Sequence, residues 1–149
     1  MQTKGKLLIF PASRLDIWKQ DHALQTMLEA GDLLVASETL PDEPFSAPKA
    51  LSRNHLIYAL GDPAVVIAAR SGKGGSWRGA MDCLSHGWTE VMAVTGAHED
   101  FTGCRALIKY GAFPLELKPG TLWNQIEERC LNSRRQKEKQ IQLKWKGFC

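Results

Sequence analysis

The residues best placed to do chemistry are consecutive: Arg70, Ser71, Gly72, Lys73, Gly74, Gly75 and Ser76. An apolar run precedes them, Ala64-Val65-Val66-Ile67-Ala68-Ala69, and a helix-compatible segment starts near Trp77. A strand that breaks into glycines and restarts as a helix gathers backbone N–H groups at the positive end of a helix dipole. Such a place takes an anion, most often a phosphate. Lys73 and Arg78 add full positive charges beside it. The plainer alternative is a flexible turn with solvated basic residues. The pattern is neither G-x-x-x-x-G-K-[ST] nor G-x-G-x-x-G, and neither Ser71 nor Ser76 has the G-x-S-x-G surround of a nucleophile elbow.

Other reactive residues are scattered. Glu38 could act as a base or hold a ribose hydroxyl, or be only a solvated carboxylate. His55 falls in a helix, where packing or solvent contact is the commoner role, whereas His98 falls in a loop that could line a site. Cys104, at a helix start, could have a lowered pKa or be a small buried thiol. The four cysteines, Cys83, Cys104, Cys130 and Cys149, form no CxxC pair. Reduced thiols in a cytoplasmic protein and no zinc site are the expectation. No nucleophile, base and orienting group are legible together. Binding is better supported than catalysis, and no cofactor or metal is expected.

The elements that must position the turn alternate. Lys6–Phe10 reads as a strand ended by Pro11, and Asp21–Ala30 as a helix with Asp21 as N-cap and Gly31 as its stop. Leu33–Ala36 is a second strand, with Ser37-Glu38 at its end. Leu40–Lys49, with Pro41, Pro44 and Pro48, reads as a surface loop. A helix capped by Ser52 would then put Arg53 and Asn54 in its first turn. The run 64–69 lacks polar alternation and suits a strand buried on both faces. A helix over Trp77–His86 ended by Gly87, a strand over Glu90–Val94, a helix over Cys104–Tyr110 and a strand over Ala112–Leu115 follow. A last helix covers Thr121–Cys130. This is an α/β, Rossmann-like pattern with a mostly parallel sheet of about five strands. In such sheets ligands lie beyond the carboxyl ends of the strands. Those ends carry Pro11-Ala12-Ser13, Ser37-Glu38, Arg70–Ser76 and Thr95-Gly96-Ala97-His98.

Composition bounds the class. A chain of 149 residues, 44% hydrophobic and 23% charged, is that of one ordinary globular domain with a real core. No apolar run reaches the roughly 20 residues of a membrane helix. The apolar part of MQTKGKLLIF is too short for a secretory signal. A net charge of +3 is too small to argue for nucleic acid by itself. Residues 1–132 are expected to form the domain and 133–149 a basic extension. That extension holds Arg134, Arg135, Lys137, Lys139, Lys144 and Lys146 against Glu138, with Trp145 and Phe148 interleaved. It can neutralise phosphates and stack bases, or equally dock on the domain or a partner through Ile141, Leu143, Trp145 and Phe148.

Several segments, in order, resemble the DNA-processing protein A (DprA/Smf) family. They are Arg53-Asn54-His55-Leu56-Ile57, the apolar strand with Ser71-Gly72, Ala93-Val94-Thr95-Gly96, and Gly103-Cys104-Arg105-Ala106-Leu107-Ile108-Lys109-Tyr110-Gly111-Ala112. Ser37-Glu38 before the proline-rich loop matches the family's SE-x-P step. The resemblance covers roughly Lys6 to Glu116. It implies a protein that binds single-stranded DNA and helps load a RecA-type recombinase during DNA uptake. Position by position it implies phosphate or nucleic-acid contacts from Arg53, Asn54, the Ser71–Ser76 turn with Lys73, and Gly96. The family's N-terminal half, with its G-S-R turn, has no counterpart here. Half of the family pocket is therefore expected to be missing or supplied by another chain, in a homo-oligomer or a mixed complex. Gly74-Gly75-Ser76-Trp77 also replaces the family's SL-[IL]-TA. GG-[ST] turns are similar to those of nucleotide-binding members of the wider superfamily, so a small nucleotide-binding or nucleotide-processing protein is the alternative reading. The phosphoribohydrolase motif PGG-x-GT-x-x-E is absent, and that activity is not implied.

Overall fold

The computed structural model describes residues 5–12, 14, 15, 21–96 and 102–146, the last seven as backbone alone. Elements alternate along the chain: β1 (Leu7–Ile9), α1 (His22–Glu29), β2 (Leu33–Val35), α2 (Ala47–Leu60), β3 (Ala64–Val66), α3 (Gly75–His86), β4 (Val91–Thr95), α4 (Thr102–Lys109), β5 (Phe113–Glu116) and α5 (Leu122–Lys146). All five strands pair in parallel, as expected of βαβ units. They hydrogen-bond as two groups, β1-β2 and β3-β4-β5, and the chain divides into two compact units, Met1–Ile57 and Tyr58–Cys149.

In the first unit β1 and β2 pair in register from Leu7↔Leu33 to Ile9↔Val35. Between them α1 opens on Asp21, whose carboxylate accepts from the N–H groups of Ala23 (2.9 Å) and Leu24 (3.2 Å). These are two of the four N–H groups a helix start leaves without an intrahelical partner. Asp21→Ala is expected to cost about 1 kcal/mol, measured by urea unfolding. A loss below a few tenths would mean that water replaces the cap.

α2 starts five residues before the expected Ser52. Ser46 Oγ accepts from the Lys49 N–H at 3.4 Å, and Pro48 lies in the first turn. Proline is tolerated there because its missing N–H would have no helical partner. Prolines therefore marked the entry to the helix as well as the loop. Arg53 and Asn54 consequently sit in the middle of α2 rather than in its first turn.

The second unit has layers on both faces of its sheet. On one face Ala64, Val66, Val91 and Ala93 pack with Ala80 and Cys83 of α3 and with Cys104 and Leu107 of α4. On the other, Met92, Val94 and Leu115 meet Leu122 and Ile126 of α5. The strand buried on both faces is thus β4, whose Val91–Val94 are each at most 3% exposed. The expectation for 64–69 is corrected: the strand is Ala64–Val66, and Val65 and Ile67 stay 39% and 66% exposed. β3 is the outer strand of its three-stranded group, and the α5 side chains cover β4 and β5.

The last helix is 25 residues long, so the boundary expected at 132/133 falls inside α5. Its packing is anchored by Arg129, which forms an ion pair with Glu90 at 2.8 Å and lies 3.1 Å over the Phe113 ring. Neither partner atom meets hydrogen-bond angles, so the contact is ionic and cation–π in character. Among the described residues no helix is long and apolar enough to cross a membrane.

Candidate phosphate-binding site

Beyond β3 the backbone turns twice within a few residues. The Lys73 N–H donates to the Arg70 carbonyl at 3.2 Å, closing a four-residue turn. Gly72 occupies its third position with φ +71°, the geometry a type II turn asks of glycine. Gly74 then adopts φ 86°, ψ 167° as N-cap of α3, and as glycine it brings no capping side chain of its own. Helical bonding starts with Arg78 N–H to the Gly74 carbonyl at 3.1 Å.

The result is a cavity of about 420 Å³ lined by Ala68, Ala69, Arg70, Lys73, Gly74, Gly75 and Ser76. Among the described residues that line it none is acidic and two are cations, and the first turn of a 12-residue helix forms one wall. A helix end is equivalent to about half a positive charge. With Arg70 and Lys73 the site presents a positive field matched to a phosphate. Its floor is fixed by α4: the Gly103 N–H donates to the Ala69 carbonyl at 2.9 Å. That carbonyl belongs to a lining residue, so the start of α4 sets where the cavity wall lies.

The expected site residues divide accordingly. Lys73, Gly74, Gly75 and Ser76 line the cavity. Ser71 and Gly72 form the turn behind it, and Arg78 is exposed on α3 outside the lining set. Gly96 is exposed just after β4, and His98 lies outside the described residues. Arg53, Asn54 and Glu38 belong to the Met1–Ile57 unit, whereas the described residues that line the cavity belong to the Tyr58–Cys149 unit. The half-buried Arg53 guanidinium donates to the Phe10 carbonyl, and burial lowers its pKa from the ordinary arginine value. Glu38 is exposed. Arg70, which the sequence places at the strand end but outside the Ser71–Ser76 contact set, lines the cavity as well. Ala68 and Ala69 were not among the candidates and have only smallness to mark them.

The three described thiols, Cys83, Cys104 and Cys130, are not activated. Burial pushes the Cys104 thiol up against weaker backbone hydrogen bonds at Ala69 and Val94, and pushes Cys83 up against a backbone hydrogen bond at Thr89. Burial raises Cys130 as well, with the Asp62 charge adding to it. Tyr58 is pushed up to about 12, chiefly by burial. A nucleophilic cysteine needs the opposite shift. In the basic segment, Arg134 and Lys137 each lie 3.8 Å from the Asp62 carboxylate, while Arg135 and Lys139 are exposed. Cys130 donates to the Asp62 carbonyl at 2.8 Å, so α5 is held to the residue preceding Pro63.

Residues 8–127 match the family model described as DNA recombination-mediator protein A. Among solved structures, the X-ray structure of DNA processing protein A (DprA) from Streptococcus pneumoniae is similar, with a TM-score of 0.56 and 27% identity. The match covers 74% of this chain and 40% of that one, so this chain corresponds to less than half of its solved relative. No curated protein matches the chain significantly.

Proposed function

Because the chain belongs to the DNA recombination-mediator protein A family, we propose that it binds single-stranded DNA, holding a backbone phosphate in the glycine-turn cavity. The observation that carries this reading is the cavity itself, where Arg70, Lys73 and the glycine-capped start of α3 converge and, among the described residues, no lining residue is acidic. A phosphodiester would sit at the positive end of the α3 dipole. Lys73 acts as a point charge on the phosphate, and Arg70 offers planar, forked donors beside it. Nothing in this arrangement breaks a bond. Its role is to bind, in a recombination-mediating protein acting with a RecA-type recombinase and with further copies or another chain completing the site. Arg53, Asn54, Gly96 and Arg78 are proposed contacts along the strand, and the exposed Arg135 and Lys139 are candidates for added charge. Localisation in the cytoplasm, where such DNA is handled, is part of the same proposal.

Fluorescence anisotropy of labelled oligo-dT at two salt concentrations tests it. Wild type should bind in a salt-dependent way, because each neutralised phosphate releases counterions. Lys73→Ala should weaken binding several-fold and lower the slope of log K against log salt by about 0.7, the value for one single-strand contact. No binding at low salt, or an unchanged slope, would overturn the assignment. The cavity is also the size of a small-ligand site, so free nucleoside phosphates are the second reading. Thermal stabilisation by a mononucleotide, about 2.7 kcal/mol at a hundred-fold excess over Kd, without oligo-dT binding would favour it.

A further inference from the structure

Tyr110, in the closing turn of α4, leaves 62% of its surface in solvent. Exposed aromatic rings of this kind are usually tolerated singly, but Tyr110 is not alone. Its ring meets that of Trp77 edge to face, at 6.1 Å between centroids and 78° between planes. Trp77 directly follows Ser76, which lines the cavity, and it lies in the first turn of α3. The ring pair therefore bridges α3 and α4 one residue after the cavity-lining run in the chain.

Each ring has an exposed cation beside it in the chain. Arg78 follows Trp77 on α3, and Arg105 and Lys109 stand one turn apart on α4, with Lys109 next to Tyr110. The half-buried Asp82 is the carboxylate of α3. Among the described residues no exposed large aliphatic side chain accompanies Tyr110 on α3 or α4. Lysine is depleted from the core of protein–protein contacts, and Lys109 stands next to the ring. An open ring near cations, beside a cavity lined by Arg70 and Lys73, has instead the composition of a single-strand track, in which bases stack and phosphates are neutralised.

We propose that the α3–α4 seam is a nucleobase-stacking extension of the glycine-turn site. A strand leaving the cavity lays a base on Tyr110, braced from behind by Trp77, and Arg78, Arg105 and Lys109 neutralise the flanking phosphates. The proposal rests on the DNA-binding reading above and adds to it a contact with bases rather than backbone. It also gives this chain a contact that tolerates any sequence, since every base has a stacking face.

The test compares labelled oligo-dT with an abasic phosphodiester of equal length and charge, using anisotropy with wild type, Tyr110→Ala, Tyr110→Phe and Lys73→Ala. Thermal unfolding confirms that each variant is folded, which the exposure of Tyr110 favours. Tyr110→Ala should weaken oligo-dT binding about tenfold and leave the abasic strand unaffected, while Tyr110→Phe should behave as wild type. Lys73→Ala should weaken both ligands. Equal losses on both ligands in Tyr110→Ala, or no loss on oligo-dT, would overturn the stacking extension while the Lys73→Ala result still supports the cavity. A base-specific loss in Tyr110→Ala with a silent Lys73→Ala would uphold the extension and remove the glycine turn as a contact. Wild type that binds neither strand would overturn both.

Discussion

Gly103→Ala should lower the unfolding free energy by about 2–3 kcal/mol, although alanine is the better helix former by about 1 kcal/mol. The two effects have opposite signs, and the structure decides between them. Gly103 is buried in the first turn of α4, and a Cβ built there would lie 2.8 Å from the Ala69 Cβ and closer still to the Ala69 carbonyl. The obstacle is backbone, which cannot rotate away as the end of a flexible side chain can. It is also the acceptor of the Gly103 N–H, so moving α4 back lengthens that hydrogen bond. Cys104 and Leu107, both fully buried in the same helix, would be displaced from the core that they share with Ala80, Cys83 and Ala93. Urea unfolding followed by tryptophan fluorescence measures the change, with Thr102→Ala, at an exposed position of the same turn, as the control. A neutral or stabilised Gly103→Ala would mean that α4 does not approach the end of β3 as closely as described. Because Ala69 lines the cavity, oligo-dT affinity should fall with stability in this variant.

The contrast between legible and illegible features follows from how local their causes are. Asp21 capping α1 and Gly87 closing α3 depend on a few neighbouring residues, and both stand where the sequence places them. The glycine turn is of the same kind, since Gly72 and Gly74 are needed by the backbone they occupy. The parallel pairing of five strands was also legible, because apolar runs alternating with three-turn helices leave few other ways to bury both. What each strand buries depends on its neighbours. Residues 64–69 and 91–94 are both apolar runs, but only β4 has a strand on either side and helices on both faces. Val65 and Ile67 look like core residues in sequence and are exposed in space. The start of α2 was hidden by Pro48, which signals a loop and a first helical turn alike. The length of α5 was hidden because its polar second half has no apolar stripe, although arginine, lysine and glutamine are good helix formers. Gly103 was visible as part of a family pattern, but its physical reason lies 34 residues away at Ala69. Tyr110 acquires meaning only through Trp77.

Gly74→Ala should separate backbone geometry from charge at the candidate site, and its expected cost is about 1–3 kcal/mol of stability. Here the argument is the reverse of that for Gly103. A Cβ on Gly74 would meet nothing within 4 Å, so there is no clash to relieve. The cost comes from φ 86°, ψ 167°, a combination that is essentially glycine's alone. Alanine can escape the strain only by rotating the peptide planes that lead into α3, and those planes carry the N–H groups forming the cavity wall. Oligo-dT affinity should therefore fall, while the slope of log K against log salt stays at the wild-type value because no cation has been removed. Lys73→Ala should show the opposite signature, with a reduced slope and little loss of stability from an exposed side chain. If Gly74→Ala loses stability but keeps its affinity, the strand is held by Arg70 and Lys73 as point charges, and the helix start plays no part in binding. If both affinity and stability survive, the turn reshapes at no cost, and the glycine at this position serves neither the fold nor the site.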